Sequence, residues 1–136
     1  MSTEIPARER ARRAGLVNGA RQMILNSYVV EESDDTSLTI NWDDFYLQVS
    51  FSELHPLMVI CFVRRLKPSS IARRKPLLNT LNLNSVFGSH AVNEDIGCYA
   101  YRYAQWLDAE LHPERFKEIL QRSCEEAARG YLQLAA

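Results

Sequence analysis

Three histidines, His55, His90 and His112, and two adjacent carboxylate pairs, Asp43-Asp44 and Glu94-Asp95, are the residues of this 136-residue chain best suited to moving protons. General acid–base chemistry needs such groups within hydrogen-bond reach of a reacting atom. His55 and His112 each precede a proline, which favours turn positions. Both carboxylate pairs sit where hairpin turns are expected, and Asp in a turn bonds its own neighbouring backbone. The histidines are far apart and make no zinc-type spacing with Cys61, Cys98 or Cys124. Ser85 and Ser89 lack a nucleophile elbow, Gly88 and Gly97 make no phosphate loop, and no HExxH or EF-hand pattern occurs. The expectation is a protein with no cofactor, no metal and no catalytic constellation; an enzyme with an unrecognised site ranks third among the roles considered.

Two other groupings could bind rather than react. Arg64, Arg65, Lys67, Arg73, Arg74 and Lys75 place six cations in twelve residues with no acid between them, and Arg8, Arg10, Arg12, Arg13 and Arg21 lie upstream. Converging, they would contact phosphates, so an anion or nucleic-acid binder is the alternative role. A formal net charge of −1 supplies no global attraction, and the acids of Glu31 to Asp44, or Glu114, Glu118, Glu125 and Glu126, could neutralise the block. Tyr99, Tyr101 and Tyr103 alternate, as a stacking platform or a protein-binding face would require. A strand half-covered by a helix requires the same alternation.

These residues need elements to position them. Val17, Ala20, Ile24 and Tyr28 recur at helical spacing between Pro6 and Tyr28, though Gly15 and Gly19 weaken the first turns. After Glu31 to Asp35 the period changes to two. Leu38, Ile40 and Trp42, then Phe45, Leu47, Val49 and Phe51, alternate with polar residues about the turn Asp43-Asp44 and predict a hairpin. The continuously apolar Leu57 to Val63 predicts a central strand. A helix should follow, capped by Ser69 or Ser70 and running toward Asn84, with Pro76 kinking or starting it. Gly88 to Asn93 and Cys98 to Leu107 predict a second hairpin with Gly97 at positive φ. From Pro113, the residues Phe116, Ile119, Leu120, Ala127, Tyr131 and Leu134 trace a closing helix. The fold class is α+β, in the order α-β-β-β-α-β-β-α: one antiparallel sheet with helices packed mainly on one face.

The length predicts a single domain over residues 1–136, with 46% hydrophobic and 24% charged residues as in ordinary globular proteins. Three separated cysteines argue against a disulfide framework, and reduced, mostly buried thiols are expected. No stretch has the length and apolarity of a secretion signal or membrane span, so a cytoplasmic location is expected.

From Pro68 to Leu134 the chain resembles the YbjN-like family of bacterial sensory-transduction regulators. The resemblance rests on a helix ending in Leu81-Asn82 of LLNTLNLN, a strand with Gly88 near its start, the acidic turn Glu94-Asp95-Ile96-Gly97, the strand Tyr99-Ala100-Tyr101-Arg102-Tyr103 and a long last helix. It implies the fold of type III secretion chaperones and a small, non-enzymatic, homodimeric domain that binds a protein partner; no membrane partner is expected, since no apolar run is long enough to span one. Leu77, Leu78 and Leu81 then become the expected dimer-facing residues, and Asn84 the expected left-handed residue ending its helix.

Overall fold

The computed structural model describes residues 4–52, 54–69 and 71–136; the Ser70 cap lies outside them. Helix α1 spans Ala7–Ser27, α2 Ile71–Leu83 and α3 Pro113–Ala135. The strands are β1 Glu32–Ser33, β2 Ser37–Trp42, β3 Phe45–Ser52, β4 Leu57–Arg65, β5 Ser89–Asn93 and β6 Cys98–Trp106. They form one antiparallel sheet in the order β1-β2-β3-β4-β6-β5. The two-residue β1, hidden in the acidic stretch, is an addition to the expected order.

Alternation decides which side chains enter the core. One row crosses the sheet through Ile40, Leu47, Phe62, Tyr101 and His90, residues paired strand to strand and all buried. The next row, Thr39, Gln48, Cys61, Arg102 and Ser89, points the other way. Helices α1 and α3 cover the first face: Val17, Ala20 and Ile24 from α1 and Phe116, Leu120, Ala127 and Leu134 from α3 join its core. Each fully buried leucine, isoleucine or phenylalanine here contributes about 1.5–3 kcal/mol relative to exposure. Rings meet edge to face, Tyr28 on Phe116 at 5.6 Å and Tyr131 on Tyr99 at 5.7 Å between centroids.

Helix α2 lies along β5 and against α3. Pro76 sits on its exposed side inside an unbroken helix, so the proline neither starts a shorter helix nor divides α2. At its end the structure corrects the sequence expectation. Among the described residues Asp43, at φ 52°, is the single non-glycine with positive φ, so Asn84 is not left-handed. Its Nδ2 instead donates to the carbonyl of Thr80 at 2.9 Å and closes the last turn from the side chain. Gly97 does adopt φ 65°, and its carbonyl accepts from the Leu66 N–H at 2.8 Å, tying the β5–β6 turn to the end of β4. Of the free cysteines Cys124 is buried, while Cys61 and Cys98 are half-exposed.

Candidate functional site

Beneath α3 the core contains polar chemistry. Glu126 falls on the buried stripe of α3 with Ser123, Ala127 and Gly130. Its carboxylate accepts the Tyr101 hydroxyl at 2.5 Å and the backbone N–H groups of Val86 at 2.8 Å and of Phe87 and Gly88 at 3.2 Å. Burial raises the Glu126 carboxyl, but the four donors outweigh it and hold the group below the ordinary glutamate value. Next to this group His90 Nδ1 meets the Tyr99 hydroxyl at 2.6 Å. Burial lowers the His90 pKa, with Glu126 opposing, and burial raises both phenols. A side chain at Gly130 would collide with the His90 ring, so this close approach of α3 requires glycine. The carboxylate fixes the loop between α2 and β5 to α3.

The edge of β5 is held by side chains of α2. Asn82 Oδ1 accepts the His90 N–H at 2.7 Å and its Nδ2 donates to the His90 carbonyl at 3.0 Å, the pair of bonds a further strand would make. At the other end of α2, buried Arg74 donates to both Glu94 oxygens, at 3.0 and 3.2 Å, and to the Leu134 carbonyl at 3.2 Å. Arg74 is therefore an internal fastener and not an anion-binding residue, because its donors are already spent on Glu94, Leu134 and the Lys67 carbonyl. Arg64 lies 4.1 Å over the Tyr131 ring and 4.0 Å from Asp44. Arg65, Lys67, Arg73 and Lys75 are exposed. A groove of about 400 Å³ opens here between Lys75 and Leu78 of α2 and Val92 to Asp95.

The tyrosine trio also takes a different part from a docking platform. Tyr99 and Tyr101 are fully buried under α3, which removes them from any partner's reach, and half-buried Tyr103 donates to Gln105 Oε1 at 3.1 Å. Leu77, Leu78 and Leu81 are half-buried against the chain's own core, and beyond them Leu83 is 86% exposed. Sequence reasoning missed Glu126 as a fastener. The available signal for Glu126 was its spacing, three residues after Ser123 and four before Gly130 on the apolar stripe.

Among the described residues no helix core covers the opposite sheet face. Along β4 it shows half-buried Val59, Cys61 and Val63, and along β6 Ala100, Arg102 and Ala104. Tyr46 and Trp106, 64% and 44% exposed, stand at opposite ends of this strip.

Residues 21–135 match the model of the YbjN family, described as "Putative bacterial sensory transduction regulator", and the chain belongs to that family. Among the solved structures that share its fold are two at 13% and 16% identity. One, the crystal structure of YbjN from E. coli, described as a putative transcription regulator, superposes with a TM-score of 0.66 at 13% identity over 86% of this chain and 89% of the other. The second is a chain from the HopA1–SchA chaperone–effector complex, with a TM-score of 0.59 at 16% identity over 94% and 98% of the two chains. No curated protein sequence matches. No helix among the described residues is long and apolar enough to cross a membrane.

Proposed function

We propose that this chain is a non-enzymatic protein-binding domain, chaperone-like or regulatory, that works as a homodimer. The observation that carries this conclusion is the helix-free sheet face, where the most apolar strand of the sequence presents Val59, Cys61 and Val63 between exposed Tyr46 and Trp106. An apolar strip framed by aromatic side chains is the usual make-up of a protein contact surface. Membership of a family described as regulatory, and a fold shared with a chain of a chaperone–effector complex, point the same way. Fold alone leaves the partner open.

Light scattering on the full chain at micromolar concentration tests the oligomeric state. A dimer mass, unchanged by added nucleotides or small ligands, is the expected result, and a stable monomer refutes it. Partner contact is tested by substituting Tyr46→Ser and Trp106→Ser, which should reduce capture of a purified partner at least about tenfold with the fold intact. Undiminished capture would remove the open face from the account.

A further inference from the structure

The middle of the chain has no negative side chain of its own. From Leu54 to Asn93 there is no aspartate or glutamate, and six cations fall from Arg64 to Lys75. Acids from outside the segment serve parts of it: Asp44 lies beside Arg64, Glu94 binds buried Arg74, and Glu126 of α3 holds the loop after α2. The outer surface of α2 is left positive. Arg73 and Lys75 are exposed there and, among the described residues, pair with no acid; Arg73 donates to the Ser69 hydroxyl at 3.3 Å. Arg73, Pro76, Thr80 and Leu83 recur at helical spacing and are all exposed, so a stripe of about 15 Å runs from these cations to the end of α2.

At that end the surface turns apolar. Leu83, Val86 and Phe87 are 86%, 79% and 45% exposed, yet the loop that carries them is bonded at every backbone donor. The N–H of Asn84 donates to the Thr80 carbonyl at 3.2 Å, that of Ser85 to the Asn82 carbonyl at 3.4 Å, and those of Val86, Phe87 and Gly88 to the Glu126 carboxylate. A side chain at Gly88 would strike the Arg102 carbonyl, so the loop also lies directly on β6. Three apolar side chains are thus held outward on fixed backbone, and the entropy that a flexible loop would lose on binding is already lost in the free chain. Arg122 and Arg129, four residues before and three after Glu126, are exposed beside the loop's anchor. Arg122 pairs with Glu125 at 3.5 Å, while Arg129 makes no ion pair among the described residues. An amphipathic helix fits this surface when its apolar stripe seats on Leu83, Val86 and Phe87 and its acidic residues face Arg73, Lys75 and Arg129. A nucleic acid would use the cations and leave the three apolar side chains in water. We infer that α2 and the loop after it form a docking surface for an acidic amphipathic helix of a protein partner. Tyr46 and Trp106 stand on β3 and β6, so this surface and the open sheet face can fail separately.

Two synthetic helical peptides test the inference, one with a leucine stripe flanked by glutamates and the other with lysine in place of each glutamate. Fluorescence anisotropy measures the affinity of the full chain for each. The glutamate peptide should bind at least about tenfold tighter than the lysine peptide. Leu83→Ser and Val86→Ser, made together, should weaken that binding at least about tenfold, and Tyr46→Ser with Trp106→Ser should leave it unchanged. Arg73→Glu with Lys75→Glu should turn the preference toward the lysine peptide. Amide shifts on adding the glutamate peptide should fall on residues 72–88. The substituted positions are exposed, and circular dichroism checks that each variant is folded. Equal affinity for the two peptides, binding of neither, or undiminished binding by the Leu83→Ser, Val86→Ser variant overturns the inference. So does capture of phosphatidylserine vesicles or duplex DNA without the glutamate peptide, which would assign the surface to lipid or to phosphate.

Discussion

Along β6 the two faces of the sheet can be compared residue by residue. Tyr99 and Tyr101 point under α3, fully buried, each hydroxyl assigned to one partner, His90 or Glu126. Ala100 and Arg102, the residues between and beyond them, point to the bare face, where Arg102 has no ion pair among the described residues. The covered face uses large rings whose hydroxyls are bonded to His90 and Glu126, and a buried network of that kind specifies a single arrangement. The bare face uses small side chains and unspent charge. Specification of the fold and availability for contact are thus separated on opposite sides of the same strand.

That comparison breaks first at Glu126. Its replacement by alanine strands the Tyr101 hydroxyl and three backbone N–H groups, and should lower unfolding stability by about 3 kcal/mol in denaturant titration. A loss below about 1 kcal/mol would show that the network does not hold the covered face. Gly130→Ala comes next, because the new methyl meets the His90 ring and forces α3 outward, at about 1–3 kcal/mol. Asn82→Ala should cost about 1 kcal/mol and speed exchange of the His90 amide proton, measured by NMR. On the bare face Gln48→Ala and Ala104→Ser should change stability by less than about 0.5 kcal/mol, and a larger change would contradict its independence from the fold.

Acidity sharpens the same contrast. The folded His90 pKa lies below 6.5, so the unfolded chain takes up this proton first. Its stabilisation is present above pH 6.5 and is lost as pH falls through the folded value. Glu126 is also depressed, below 4.5, so its contribution is present above pH 4.5 and disappears as pH falls through its folded value. Melting temperature should therefore decline in two stages on acidification. Glu126→Gln should shrink the lower stage, which Glu9 and Asp34 share because their carboxylates are also held below the ordinary range, and leave the upper; an unchanged profile would place the acid sensitivity elsewhere.

Much of this architecture can be read from period alone. The alternation through Leu38, Ile40, Phe45, Leu47 and Val49 needs no tertiary information, and the pairing of Phe45 with Trp42 follows from the two-residue turn between them. Arg74 and Glu126 were not legible, because a charged residue on a helix surface and one folded beneath a neighbouring element have the same local sequence. What distinguishes Arg74 is Glu94, Leu134 and Lys67, which come together only when α2, α3 and the β5–β6 turn dock. Tyr99 and Tyr101 were ambiguous for a related reason. Alternation assigns them to a face, and only the position of α3 determines that the face is closed. Asn84 shows the limit at a helix end, where the amide's bond to Thr80 replaces the backbone reversal that its residue type suggested.

The strand order sets the tempo of assembly. β2, β3 and β4 are joined by short turns and can zip in sequence, as can the β5–β6 hairpin on its own. Joining the two blocks requires β4 to find β6, whose partners from Leu57 with Trp106 to Arg65 with Cys98 are about thirty to fifty residues apart. The loop to be closed includes all of α2. Refolding should therefore be limited by docking of the hairpin onto β4, and substitutions at Ile60 or Tyr101 should slow it more than substitutions of similar cost within β2.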